Sequence, residues 1–224
     1  MTTITLTAGD SHRFSAYEAA PADKPRGGLV VVQEIFGVNA HMRHVADGFA
    51  ADGYRVIAPA IFDRAERDVD LDYSPENSAR GMALRQQISI EDMLRDIEAC
   101  VMTVRPAGKV AVVGYCLGGS LAWLAATRIA GLAAAVGYYG GMIAKHLDET
   151  PKCPVMLHFG EQDRGITASD VAAIRAAVDP KTVQVFTYAG AGHAFNREGN
   201  QAHHAPSAKL ARSRSLAFLR EQVG

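Results

Sequence analysis

Cys116, Asp163 and His193 offer, in that chain order, a nucleophile, an acid and a base. Cys116 sits in Gly114-Tyr115-Cys116-Leu117-Gly118-Gly119, directly after the apolar run KVAVVG at residues 109–114. This is the G-x-S-x-G pattern of a nucleophile elbow with cysteine in the serine position, a strained strand-to-helix turn that presents one side chain at the top of a sheet. Gly114 and Gly118 leave room for close packing around the turn. A thiol at a helix N-terminus faces backbone N–H groups and the positive end of the dipole, which favour the thiolate. The N–H of Leu117, the residue after the nucleophile, is placed to stabilise an oxyanion. A cysteine nucleophile needs a base, and the base needs an acid to fix its tautomer. Asp163 follows the apolar run VMLHF in Gly160-Glu161-Gln162-Asp163, and His193 follows VQVFTY in Ala189-Gly190-Ala191-Gly192-His193.

Each of these residues has a plainer reading. Cys116 alone could be a small buried hydrophobe, Asp163 a helix-start residue and His193 a loop residue. Three roles in order at three strand ends outweigh those readings, and the order is that of an α/β-hydrolase triad. Cys100, inside an amphipathic segment, and Cys153, between Lys152 and Pro154, lack an elbow and read as structural. His41 and His44 on a helix, His203 and His204 in a polar loop, and His12 and His146 read as surface residues. His158, within a strand, reads as a hydrogen-bonded core residue.

These side chains need a scaffold. Apolar runs at residues 28–33 (GLVVVQ), 54–58, 109–114, 132–138, 155–159 and 183–188 read as strands. Segments 39–51, 89–104, 120–130, 171–178 and 208–223 have helical periodicity, with Asn39 as an N-cap. The opening ITLT reads as an antiparallel edge strand, and residues 59–75, rich in Asp, Arg and Pro, as a long connection of the kind that often has a function. Continuous apolar strands alternating with amphipathic helices predict an α/β fold, a mostly parallel central sheet with helices on both faces. In such sheets sites form at the C-terminal ends of strands, here after Gln33, Gly114, Phe159 and Tyr188.

Composition narrows the function. The chain has 224 residues, read as a single domain over 1–224, with 23 basic against 24 acidic side chains. That balance offers no basic surface for nucleic acid or an anionic membrane. No run approaches the roughly 18 apolar residues of a membrane span, and no signal peptide is expected at the N-terminus. Three widely spaced cysteines suit a reducing, cytoplasmic setting. There is no CxxC or HExxH, so zinc-type sites have no local support.

Five segments together resemble the dienelactone hydrolase family of α/β-hydrolases: QEIFGVN (33–39), GYCLGG (114–119), GYYG (137–140), GEQD (160–163) and AGHAFNR (191–197). The resemblance extends over most of the chain and implies a triad of Cys116, Asp163 and His193. It gives Glu34 a role too: a carboxylate that pairs with an arginine, matched here by Arg197, and swings to deprotonate the cysteine when substrate arrives. Ile35 would supply the second oxyanion N–H beside Leu117. The family's substrate carboxylate is held by two arginines, matched by Arg197 and Arg80, with Arg85 a competitor for the second. The bland account of Glu34 is a structural ion pair, and of Arg80 and Arg85 a solvated helix face. Two positions depart from the pattern: Ala194 stands where a hydroxyl is expected and Leu84 where a tyrosine is expected.

The resemblance implies a cysteine-dependent hydrolase that opens the enol-lactone ring of a small carboxylate-bearing dienelactone to maleylacetate, without metal or cofactor. A small-ester or thioester hydrolase with the same triad is the nearest alternative. A non-catalytic binder or redox sensor built on Cys116 is the alternative of another class, and it would need neither Asp163 nor His193.

Overall fold

The computed structural model describes residues 2–224. Two compact units divide the chain, one up to Ala111 and one from Val112 onward.

In the first unit, β1 (Thr2–Thr7) pairs antiparallel with β2 (Arg13–Ala19), which in turn pairs antiparallel with β4 (Arg55–Pro59). β3 (Gly28–Val32) lies parallel to β4, with Gly28 opposite Arg55. Every residue of β3 is buried, which explains its unbroken apolar sequence. Three helices complete the unit: α1 (Ala40–Ala51), α2 (Pro75–Gln86) and α3 (Ile90–Val104). Asn39 caps α1 by accepting the Met42 N–H at 3.2 Å, as its side chain and position predict. Ser89 caps α3 in the same way through Asp92, and Met93, Ile97, Cys100, Val101 and Val104 form the buried face.

The second unit takes up β5 (Val110–Tyr115), whose first two residues belong to the first unit. Then follow α4 (Leu117–Arg128), β6 (Ala134–Tyr138), β7 (Val155–Gly160), α5 (Ala168–Ala177), β8 (Val183–Tyr188) and α6 (Ala205–Gln222). β6, β7 and β8 run parallel in register, with Tyr138 opposite His158 and Gly160 opposite Tyr188. The eight strands give the mostly parallel α/β architecture of an α/β-hydrolase, as the alternation of strands and helices predicts.

Two elements go beyond the sequence reading. β2 has only partly alternating burial and carries Arg13, Tyr17 and Glu18, so its apolar signal is weak. α2 buries only Gly81 and Leu84, too few for a visible helical stripe. The connection 59–75 is also more ordered than a bare loop. It contains a short 3₁₀ turn, Ile61–Arg64, whose Arg64 guanidinium bonds the buried Asp96 of α3 at 2.7 and 2.8 Å and reaches Asp10 at 2.8 Å. Further along it bridges to the turn after β3, where the Leu71 N–H bonds the Phe36 carbonyl at 3.0 Å and Asp70 pairs with Gly37.

Candidate active site

The elbow begins where β5 ends. Cys116 has φ 54° and ψ −110°, a strained backbone for a non-glycine residue. A Cβ at Gly114 would stand 1.8 Å from the Gly118 carbonyl oxygen, so only glycine lets α4 start this close to the strand. The helix therefore starts at Leu117, three residues before the apolar spacing indicates. Leu117 is its first residue, and its N–H is among those that no helix carbonyl can accept. The Cys116 N–H bonds the Tyr138 carbonyl at the end of β6 at 3.0 Å. Cys116 is the partly exposed cysteine; Cys100 and Cys153 are buried. Burial pushes the Cys100 thiol well above its ordinary value and that of Cys153 up to about 11, so both stay inert, as their sequence settings indicate.

Asp163 and His193 meet at this turn. His193 Nε2 lies 3.2 Å from Cys116 Sγ, and His193 Nδ1 lies 2.7 Å from Asp163 Oδ2. The other carboxylate oxygen of Asp163 accepts the N–H groups of Gly165 at 2.8 Å and Ile166 at 3.1 Å. The two loops are tied by the Gln162 N–H bonding the Ala191 carbonyl at 2.8 Å. Burial works against the Asp163 carboxylate, but the hydrogen bond and charge of His193 and the two N–H donors outweigh it and lower its pKa. Burial likewise works against a charged His193. The bonds to Asp163 and Cys116, and their charges, prevail and push it up to about 10. This imidazole can take a proton from the Cys116 thiol and hold it beside the thiolate, which is how a nucleophile–base pair begins to act.

The remaining expected residues fall as follows. Glu34 is 1% exposed, just past β3, and the carbonyl of that residue accepts from the Gln33 side chain at 3.2 Å. Ile35 is half-buried in the same turn. Arg197 is 9% exposed, four residues beyond His193. Arg80 is exposed on α2 and paired with Glu66; Arg85 is half-buried on the same helix. Ala194 is buried with φ 60°, a left-handed backbone immediately after His193.

Among the other histidines, His158 is a fully buried, hydrogen-bonded core residue as read from the sequence. His44 is exposed, whereas His12, His41, His146, His203 and His204 are half-buried, so those five are less solvated than their polar surroundings indicate. Sequence reasoning missed Tyr139, whose ring packs 5.0 Å from the His193 ring and whose φ is 40°. A bulky residue with positive φ leaves no mark in sequence. Among the described residues, no cluster of three or more His, Cys, Asp or Glu is arranged for a metal.

The dienelactone hydrolase family profile matches residues 14–223. The chain belongs to the dienelactone hydrolase family. Carboxymethylenebutenolidase of Pseudomonas putida is 36% identical over 224 aligned residues, covering 96% of this chain and 94% of the relative. Carboxymethylenebutenolidase of Pseudomonas sp. strain P51 is 32% identical, covering 97% and 94%. A crystal structure from Klebsiella pneumoniae, described as that of a candidate dienelactone hydrolase, superposes with a TM-score of 0.82 at 28% identity, covering 97% of this chain and 98% of that one. The protein is thus a hydrolase of this family with an α/β-hydrolase fold. No helix among the described residues is long and apolar enough to cross a membrane.

Proposed function

We propose that this hydrolase uses Cys116, His193 and Asp163 as its catalytic triad and opens the enol-lactone ring of a small, carboxylate-bearing dienelactone, giving maleylacetate. The supporting observation is the single imidazole bridging Sγ at 3.2 Å and a buried carboxylate at 2.7 Å. Cys116 sulfur attacks the lactone carbonyl, and the N–H groups of Leu117 and Ile35 receive the oxyanion. Collapse breaks the ring C–O bond, leaving a thioester on Cys116 whose acyl part carries the freed enolate. The enolate takes from His193 the proton that the thiol gave up, and the enol tautomerises to the ketone. Water, deprotonated by His193, attacks the thioester; the thiolate leaves and is reprotonated. No metal or cofactor takes part. The three free thiols fit a cytoplasmic location, and neither nucleic acid nor a membrane is a partner.

The substrate carboxylate is bound in this reading by Arg197 and one arginine of α2, whose planar forks suit bidentate contact. Arg80 is the arginine that the family pattern indicates. Arg85 competes on a specific observation: a Cβ at Gly81 would stand 1.9 Å from the Ile35 carbonyl oxygen, so the Gly81 face of α2 is pressed on the turn carrying Ile35. Arg85, four residues on, shares that face, and Arg80 does not.

Cis- and trans-dienelactone should turn over well ahead of simple esters lacking a carboxylate. Equal rates on the uncharged esters would establish the general ester or thioester hydrolase instead, a reading that Ala194 and Leu84 favour by removing polar contacts. With an activated aryl ester, a redox sensor built on Cys116 would give at most one turnover.

A further inference from the structure

Behind the triad, a buried side-chain chain ties β6, β7 and β8 to α6, and the reaction just described makes no use of it. His158 Nδ1 lies 2.8 Å from the Tyr188 hydroxyl, His158 Nε2 lies 2.9 Å from Ser215 Oγ, and Ser215 Oγ lies 2.7 Å from the Tyr138 hydroxyl. All four residues are buried, with Ser215 and His158 at 0% exposure.

Proton accounting gives the chain a direction. The Arg214 guanidinium lies 4.3 Å over the Phe186 ring and 5.4 Å from the Tyr188 ring centroid, and a cation this close makes the Tyr188 hydroxyl the better donor. The Tyr188 proton therefore goes to His158 Nδ1, the bond that this polarisation strengthens. That leaves the ring proton on Nε2, donated to Ser215, whose own proton goes to Tyr138. Burial, helped by the Arg214 charge, depresses His158 to about 3, so the ring is neutral at working pH, as this order requires.

The backbones of the same residues hold the catalytic loops. The Tyr138 carbonyl accepts the Cys116 N–H at 3.0 Å. The His158 carbonyl accepts the N–H of Tyr139 at 2.8 Å, and the Tyr139 ring packs against His193. The Tyr188 carbonyl accepts from Glu161 at 3.0 Å and from Ala191 at 3.3 Å, on the loops that carry Asp163 and His193.

We infer that His158, Ser215, Tyr138 and Tyr188 are positioning residues: a one-directional hydrogen-bond chain clamps three strand ends, and through their carbonyls it sets the nucleophile, acid and base relative to one another. This role rests on the triad reading. Displacing reacting groups by a fraction of an ångström reduces the rate more than it weakens binding.

The test has two arms. In the whole ¹⁵N-labelled protein, the His158 ring should show protonated Nε2 and bare Nδ1, unchanged between pH 5 and 9; a ring protonated at Nδ1 overturns the inference. In turnover of an activated aryl ester, Ser215→Ala should lower kcat on the order of 10-fold or more with KM little changed, and Ser215→Thr, which restores the oxygen, should recover most of it. Tyr188→Phe serves if Ser215→Ala fails to fold. A variant with lower Tm but wild-type kcat shows mere structural support and overturns the positioning role. Cys116→Ala separates the two readings. If that variant is inactive while Ser215→Ala keeps full kcat, only the positioning role fails; if it stays active, the triad reading falls, and the positioning role with it.

Discussion

Replacing one sulfur asks the sharpest question at the residue scale. Cys116→Ala should abolish turnover while leaving the fold intact, because Cys116 is only partly buried and one sulfur contributes little packing. Cys100→Ala should keep most activity; its thiol is buried on α3, away from any elbow. Steady-state turnover with circular dichroism checks both, and an inactive but folded Cys100 variant would mean that the wrong cysteine was chosen. His193→Ala should fall close to Cys116→Ala, since members of one catalytic unit do not add. Asp163→Asn should retain more activity, because in the proposed triad Asp163 orients the ring without transferring the proton. A silent Asp163→Asn across pH would shift the acid role to Glu161. That Cys116, Asp163 and His193 meet was legible in the sequence because each follows an apolar strand and two sit among glycines. The choice between Arg80 and Arg85 was not, because it turns on which face of α2 meets Ile35, and α2 itself left almost no apolar stripe. Arg85→Ala should raise KM for a carboxylate substrate about 10-fold or more and leave that for a neutral ester unchanged. The same pattern in Arg80→Ala instead would restore the expected assignment.

At the scale of elements, two histidines set opposite limits on stability. His158 on β7 is depressed to about 3, so the unfolded chain binds a proton that the folded chain refuses. Its contribution is full above the unfolded value near 6.5 and fades as pH falls toward 3, with a slope of about 1.4 kcal/mol per pH unit for one proton. His193 is raised to about 10, so what it contributes is full below the same unfolded value and is lost as pH rises through 10. Urea unfolding from pH 4 to 10 should therefore show both limbs, with His193→Ala flattening the alkaline one. An alkaline limb unchanged in that variant would contradict the raised value. Arg64 provides an element-scale test away from the site. Arg64→Ala leaves Asp96 buried without its partner and should cost about 3–5 kcal/mol. Asp96 and Arg64 lie 32 residues apart, so nothing in the sequence linked α3 to the connection 59–75. His158 illustrates the same gap: a histidine in an apolar strand announces a hydrogen-bonded core residue, but its partner Ser215 sits in a helix whose sequence names no contact.

At the scale of the whole molecule, the question is how catalysis is switched on, and it joins residues far apart in the chain. We propose that Glu34 is held by Arg197 in the free enzyme. A substrate carboxylate competes for Arg197 and releases Glu34 toward the Cys116 sulfur. A buried carboxylate two residues after β3 and a buried arginine four residues past His193 support this reading, because each is costly to bury unless paired. Activation on binding would also protect a thiolate that is otherwise open to oxidation. The rival is a standing thiolate–imidazolium pair, and the strong hold of His193 on its proton beside Cys116 favours it. The two differ in resting reactivity. A substrate-triggered enzyme should be alkylated slowly by iodoacetamide at neutral pH. A non-hydrolysable carboxylate analogue that leaves the sulfur open should speed alkylation, and Glu34→Gln should remove that acceleration. Fast alkylation of the free protein at pH 6, unchanged in Glu34→Gln, would leave Glu34 as a structural ion-pair partner and make the standing pair the working state. An analogue with its carboxylate replaced by an amide completes the test. Under the switch it should bind without accelerating alkylation, because nothing then competes for Arg197.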